Sequence, residues 1–410
     1  MRKGPDLQQE RRTARRWGWC ARIAASAVLL LAGYASLRFA RADWLFRVNT
    51  LESLREAIHL APGNSLYYSW LAERLEFEGQ DSQAMLEAAA RLNPRAAKVW
   101  TRLGLRAEIA GNRVAAERML LQAAAVDHGF APRWALMNFY LRQNDAGRFR
   151  IWARRALEMG YGDLTSVFDL CWKFTQDAGQ IFQLVPDSPY VLTKYLTYLE
   201  SKDRLALSIP VADSLLQHGT SKSCPALLDY CDAQLGHHDA AAAIGIWNGM
   251  CRRKWIDRAA LEPDRCLSLS NGHLRGQFLE KGFDWRTLSD PEVTMLPMSS
   301  AGGLKVILSG QQPEQCRLLW QIVPVAPHRE YRLHFSYRTD GMKQIGIGWQ
   351  AAGQIQSALP PSEAWSEQAF SFPSGDAELV ELALVYRRPS GQMRAEGAFL
   401  LRDLRLDCQP

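Results

Sequence analysis

A near-constant spacing of aromatic residues and turns, between about Pro62 and Gly160, constrains this chain more than any other feature. Trp100 opens the run Trp-Thr-Arg-Leu-Gly-Leu-Arg-Ala, and Trp134, 34 residues on, opens Trp-Ala-Leu-Met-Asn-Phe-Tyr-Leu. Tyr67 stands 33 residues before Trp100. The polar turns Glu78-Gly79-Gln80, Ala110-Gly111-Asn112 and Gln143-Asn144-Asp145 keep the same interval. A unit of this length holds two short helices and cannot bury its own apolar face. Consecutive units must therefore stack into one continuous core.

Trp100, Leu103, Gly104, Ala107, Ala116, Leu120 and Ala123, with Pro94 closing the preceding unit, resemble the tetratricopeptide (TPR) pattern. The Trp134 unit departs from it, with Asn138 at the small-residue position and Arg150 where the family has Ala. The resemblance implies an α-solenoid that offers a surface to a protein partner. Val48 to Leu60 reads as the second helix of a half unit, with apolar residues at 51, 54, 57, 58 and 60. After Gly160 the period blurs. Helical segments are still expected at Leu164–Gln176, Tyr190–Leu199, Leu205–His218, Ala226–Leu235 and Asp239–Met250, so the TPR-like domain is placed at 44–258. Trp100 and Trp134 read as packing residues between helices. His237-His238 falls in the turn Leu-Gly-His-His-Asp, with no acidic or His partner at helical spacing, and reads as a solvated turn rather than a metal site.

The net charge of +6 hints at nucleic acid, but its distribution excludes that partner. Arg2, Lys3, Arg11, Arg12, Arg15, Arg16 and Arg22 crowd the first 22 positions against Asp6 and Glu10 alone. That is a topology signal: a basic cytoplasmic tail, 1–16, before an apolar helix, 17–40. Ile23 to Leu37 carries no charge and spans about 22 Å as a helix, which Trp17 to Cys20 and snorkelling Arg22 and Arg38 extend towards the roughly 30 Å of a hydrocarbon core. Trp17, Trp19 and Trp44 then fall near the interfaces. A cleaved signal peptide is the rival, since Ala40-Arg41-Ala42 offers a small-x-small site; Arg38 and Arg41 weigh against processing. A retained single-pass anchor in the lipid bilayer of the inner membrane is the favoured expectation, N-terminus inside and the bulk of the chain extracytoplasmic.

From about residue 259 to 410 the period changes from 3.6 to 2. Tyr331, Leu333, Phe335 and Tyr337 alternate with Arg332, His334, Ser336 and Arg338; Val380, Leu382, Leu384 and Tyr386 alternate with Glu381 and Ala383. Leu318, Trp320 and Ile322 are expected on one face, as are Ile345, Ile347 and Trp349, opposite Gln344 and Gly346, and Leu400, Leu404 and Leu406. Short strands between Gly, Pro and Ser turns predict an antiparallel β-sandwich, with Trp320 and Trp349 in its core. Eight cysteines show no Cys-x-x-Cys spacing, which argues against zinc. Cys266 and Cys408 fall at the two ends of the module, where first and last strands lie side by side, and are the candidate disulfide; two free thiols are the alternative.

Leu-Ser-Leu-Ser-Asn271-Gly272, Gly282-Phe283-Asp284-Trp285, Gly303-Leu-Lys-Val-Ile-Leu, Trp365 before Phe370-Ser-Phe-Pro373, and Phe399-Leu-Leu-Arg-Asp-Leu-Arg-Leu resemble the galactose-binding, carbohydrate-binding-module type of jelly roll. Where that family has an acidic residue associated with a structural calcium, this chain has Asn271-Gly-His-Leu-Arg, so no metal is expected. Sugar recognition needs aromatic faces flanked by hydrogen-bonding groups. Trp285, Tyr337, Arg338, Trp349 and Trp365 are the candidate glycan-binding residues. No nucleophile elbow, phosphate loop, metal triad or dinucleotide glycine pattern occurs, and Glu378 and Glu381, three apart on one expected strand, cannot flank one bond. The chain reads as non-enzymatic and without a cofactor.

The fold class is thus multidomain, α then β: a transmembrane helix, a TPR-like α-solenoid and a jelly-roll sandwich. The combination is similar to exopolysaccharide- and exosortase-associated envelope proteins. That resemblance implies a membrane scaffold, with the repeats gripping a protein and the sandwich meeting polysaccharide or a second protein. The alternative is a glycan-binding protein whose solenoid is a spacer.

Overall fold

The computed structural model describes residues 7–298, 302–343 and 345–409, and only the backbone of 7–18, 20 and 21. Arg2, Lys3 and the side chains of the remaining basic tail, of Trp17 and of Cys20, together with Gln344, lie outside the described residues. The chain divides into two compact units, Met1–Met159 and Gly160–Pro410.

The first unit is helical: α1 (Leu7–Val48), α2 (Leu51–Leu60), α3 (Ser65–Phe77), α4 (Gln83–Leu92), α5 (Ala97–Ile109), α6 (Arg113–Val126), α7 (Phe130–Arg142) and α8 (Ala146–Glu158). Within α1, Arg22–Val48 is long and apolar enough to cross a membrane or to serve as a signal sequence. The repeated turns have a backbone cause. Gly79, Gly111 and Asn144 each adopt positive φ just past a helix, and the next amide reaches back five residues, as Gln80 to Leu75, Asn112 to Ala107 and Asp145 to Tyr140. This is the left-handed helix stop that Gly and Asn accept most readily. Asn112 and Asp145 then cap the following helices through their side chains.

At the α5–α6 crossing a side chain on Gly104 would stand 2.7 Å from Leu120 Cγ, so only hydrogen fits without displacement. In the Trp134 unit, Asn138 holds the same place and turns its amide back onto the Trp134 carbonyl. Arg150 is exposed because the buried position of α8 is Phe149, one residue earlier. The Trp100 indole N–H donates to the Pro94 carbonyl at 2.8 Å and pins the turn before its own helix.

The second unit begins with α9 (Thr165–Phe174), α10 (Ala178–Phe182), α11 (Pro189–Ser201), α12 (Ile209–His218), α13 (Cys224–Gly236) and α14 (Ala240–Arg252). The same helix stop recurs at Asp203, His238 and Lys254. His238 thus serves as a turn residue, as its sequence context suggests.

Among the described residues ten strands follow: β1 (Arg286–Thr287), β2 (Val293–Pro297), β3 (Leu304–Ser309), β4 (Gln315–Pro324), β5 (Glu330–Asp340), β6 (Ile347–Ala351), β7 (Gln354–Ile355), β8 (Ser366–Pro373), β9 (Leu379–Arg387) and β10 (Glu396–Gln409). They form two antiparallel five-stranded sheets, ordered β1-β4-β9-β6-β7 and β2-β3-β10-β5-β8, closed around one apolar core. The change from helix to strand near residue 258 lies inside this unit.

Two bulges correct the expected alternation. The register of β4 shifts between Arg317 and Leu319, which turns Leu319, Gln321 and Val323 inward and leaves Trp320 and Ile322 half-exposed. Trp320 is therefore not a core residue. In β10 the register shifts between Arg402 and Arg405, with Asp403 at positive φ. Phe399 and Leu401 face the core before the bulge and Leu404 and Leu406 after it, so Leu400 faces the other way. Glu378 precedes β9, and Glu381 pairs with Arg317 at 2.8 Å.

Candidate interaction surfaces

Three of the five candidate sugar-binding residues lie in the sandwich core. Trp285, Tyr337 and Trp349 are each 0% exposed. The Trp285 ring lies 6.2 Å from that of Trp349, and its N–H donates to the Asn271 carbonyl. Tyr337 stacks on Phe399 at 5.6 Å, and its hydroxyl donates to the Pro360 carbonyl. None offers a ring face to a pyranose. Alternation along strands could not place Trp285 or Trp365, since Trp285 lies just before β1 and Trp365 just before β8.

Trp365 and Arg338 remain on the outer face of the second sheet. Tyr337 pairs with Ser366, which sets Arg338 beside Trp365. The guanidinium of Arg402, one residue before the β10 bulge, lies 3.9 Å from the Trp365 ring centre, and that of Arg338 lies 5.8 Å away. The indole is thus already engaged by cations, worth about 0.5–1 kcal/mol each at partly exposed sites. Arg402 follows Leu400 on this outer face, and a sequence pattern that groups Leu400 with Leu404 and Leu406 hides it. The same register places Lys305 and Arg338 on either side of Leu400, and Arg405 beside His334. His334 lies 3.5 Å from Asp407. The outer face of this sheet is therefore rich in arginine around one half-buried indole.

At the Asn271-Gly-His-Leu-Arg loop, the Asn271 side chain both donates to and accepts from the Arg275 backbone, which spends the amide on closing the turn. His273 Nδ1 lies 3.5 Å from Asp403. Among the described residues no group of three His, Cys, Asp or Glu side chains could hold a metal ion. Cys266 and Cys408 form a disulfide, their Cα atoms 5.5 Å apart.

In the first unit the leading helices are tied by arginine–carboxylate pairs. Arg102, 13% exposed, reaches back from α5 to Glu76 at 2.6 Å, to Glu73 and to the Ser69 carbonyl. Arg106 pairs with Asp81 and donates to Ser82 Oγ. Burial would raise the Glu76 carboxyl, but hydrogen bonds from Ser82 and Arg102 and the charges of Arg102 and Arg106 outweigh it and hold the group below its ordinary value. Arg142 of α7 forms a bidentate pair with Glu108 at 2.8 and 2.7 Å. Beside these pairs, Phe77 and Ile109 end α3 and α5 at 82% and 87% exposure.

No protein-family model matches the sequence, and no curated protein matches it. Among solved structures the chain is similar to TPR proteins and to a carbohydrate-binding module. A CBM4 module is 11% identical over 35% of this chain and 100% of that chain, with a TM-score of 0.27. PilW, a widely conserved type IV pilus biogenesis factor, is 13% identical over 54% of this chain and 94% of its own, TM-score 0.26. YrrB, a TPR protein with an unusual peptide-binding site, is 12% identical over 50% and 94%, TM-score 0.25.

Proposed function

We propose that this chain is a non-enzymatic, membrane-anchored scaffold outside the cytoplasm, which binds protein through its helical repeats in the assembly or export of envelope polysaccharide. The observation that carries the reading is the exposure of Phe77 and Ile109 at corresponding ends of α3 and α5, the leading helices of two consecutive repeats. Stacking of the repeats does not need these side chains, and apolar groups left out of a core in a repeated position suit a partner's surface. The apolar stretch of α1 supports a span, and the basic tail before it supports an N-terminus held inside. The Cys266–Cys408 disulfide suits an oxidising compartment. Co-localisation by tethering would then raise the local concentration of the bound proteins.

Affinity capture from mildly solubilised membranes tests this, with the full chain against the double variant Phe77→Asp, Ile109→Asp. Polysaccharide-synthesis proteins held by the native chain and lost from the variant are the expected result; equal recovery would remove the repeats as the contact. The second reading, glycan binding by the sandwich, draws on Trp365 between Arg338 and Arg402. It requires polysaccharide recovery that Trp365→Ala abolishes and the Phe77/Ile109 variant leaves intact.

A further inference from the structure

α1 runs without a break from Leu7 to Val48, and the surroundings of its side chains change within little more than one turn. Leu30, Tyr34, Leu37 and Phe39 are exposed, whereas Ala42 is fully buried and Leu45 nearly so, in a cluster with Ala57, Ala61 and Tyr67. Arg22 to Phe39 makes about 27 Å of helix, close to the roughly 30 Å of a hydrocarbon core. Phe39 to Ala42 adds about 4.5 Å, within the depth of one headgroup layer. No linker therefore separates the apolar stretch from the packed array.

α2 runs back along α1: Arg41 pairs with Glu56, and Arg38 Nε donates to the Leu60 carbonyl at 2.5 Å. The C-terminal end of α2 is thus level with the end of the apolar stretch. The turn that follows exposes Pro62, Gly63 and Leu66, with His59 just before it and no acidic residue from 59 to 66. An uncharged turn of this kind, beside an Arg that snorkels from the span, suits the headgroup layer.

We propose that α1 is both membrane span and first helix of the array, so that the Pro62-Gly63 turn rests among phospholipid headgroups and the repeats stand on the bilayer without a stalk. The inference rests on the membrane-span reading above. It also opposes cleavage at Ala40-Arg41-Ala42, since a peptidase would have to draw Ala42 out of the first core.

The test is photo-crosslinking of the full chain in nanodiscs of phosphatidylethanolamine and phosphatidylglycerol, with benzoylphenylalanine replacing Leu30, Phe39, Gly63 or Ile109 in turn. Gly63 tolerates the probe, because a side chain there meets nothing within 4 Å. Lipid adducts are expected at 30, 39 and 63, with none above background at 109. A flexible Gly/Ser insertion after Ala40 should abolish the adduct at 63 and keep the one at 30. An adduct at 30 without one at 63 overturns the stalkless mount and leaves the span standing. Absence of an adduct at 30 removes the span reading and the proposal with it. An adduct at 63 that survives the insertion shows that helix continuity does not hold the turn at the membrane.

Discussion

In the first unit Arg102 and Arg142 reach back to carboxylates on the preceding leading helix, whereas in the second unit α13 and α14 hold the sandwich. Asp232 on α13 accepts from the Gly282 amide at 2.7 Å and from Arg286 at 2.6 Å, and Asp229 pairs with Lys281. The Trp247 ring of α14 meets Phe283 edge-on at 5.7 Å, and its N–H donates to the Ala259 carbonyl. A side chain at Gly282 would stand 2.9 Å from that ring. Between the helices and β1, Arg258 and Asp284 form a buried pair at 2.8 Å. The difference bears on α13 and α14: a helix whose neighbour is the next repeat must keep the repeat's spacing, and a helix whose neighbour is a sandwich loop is released from it. The period already blurs at α9 to α12, which pack on other helices.

The largest expected effect tests whether helix and sandwich in the second unit are one cooperative body. Trp247→Ala empties a fully buried site and should cost about 3–5 kcal/mol. Hydrogen exchange should rise together in α13, α14 and β1, with α3 to α8 unchanged; loosening confined to α14 would break the comparison. Cys266→Ser with Cys408→Ser opens a link across 142 residues and should cost about 2–4 kcal/mol, read from denaturant midpoints with and without reductant. Gly104→Val should destabilise the first unit by about 1–3 kcal/mol through overpacking against Leu120, with no change in exchange of the sandwich.

The units should also differ in their response to pH. The Glu76 carboxyl is held low, so its contribution is present above about pH 4.5 and is lost as pH falls through the folded value. Glu200 on α11 is the opposite case: burial first, then the Asp229 charge, push it up to about 7. Folding of the second unit therefore loses stability as pH climbs from about 4.5 towards 7. Exchange in α11 and α13 should be slower at pH 5 than at pH 8 after correction for the intrinsic rate, and Glu200→Gln should remove the difference. The smallest effect is reserved for Glu381→Ala: its pair with Arg317 is exposed, and the loss should stay within about 1 kcal/mol in a melting curve.

Helix positions were legible from one sequence because their determinants are local. The stop at Gly79, Gly111 and Asn144, the caps at Asn112 and Asp145 and the small residue at Gly104 each act within a turn or across one hairpin. The strand segments were legible too, from alternation along Tyr331–Tyr337 and Val380–Tyr386. Their inward faces were legible only where no bulge intervened. One extra residue in β4 and the irregularity at Asp403 in β10 exchange inside for outside, and nothing local marks either.

By itself, then, the sequence determined an apolar helix, stacked hairpins and a sandwich, since local periodicity and turn chemistry suffice for these. Tertiary structure decided which tryptophans face solvent, that Arg402 rather than a sugar-ready void lies over Trp365, and that α13 and α14 belong with the sandwich. It also decided that the apolar helix enters the first core without a linker. These outcomes depend on contacts between residues far apart in the chain, and their partners carry no mark of one another in a single sequence.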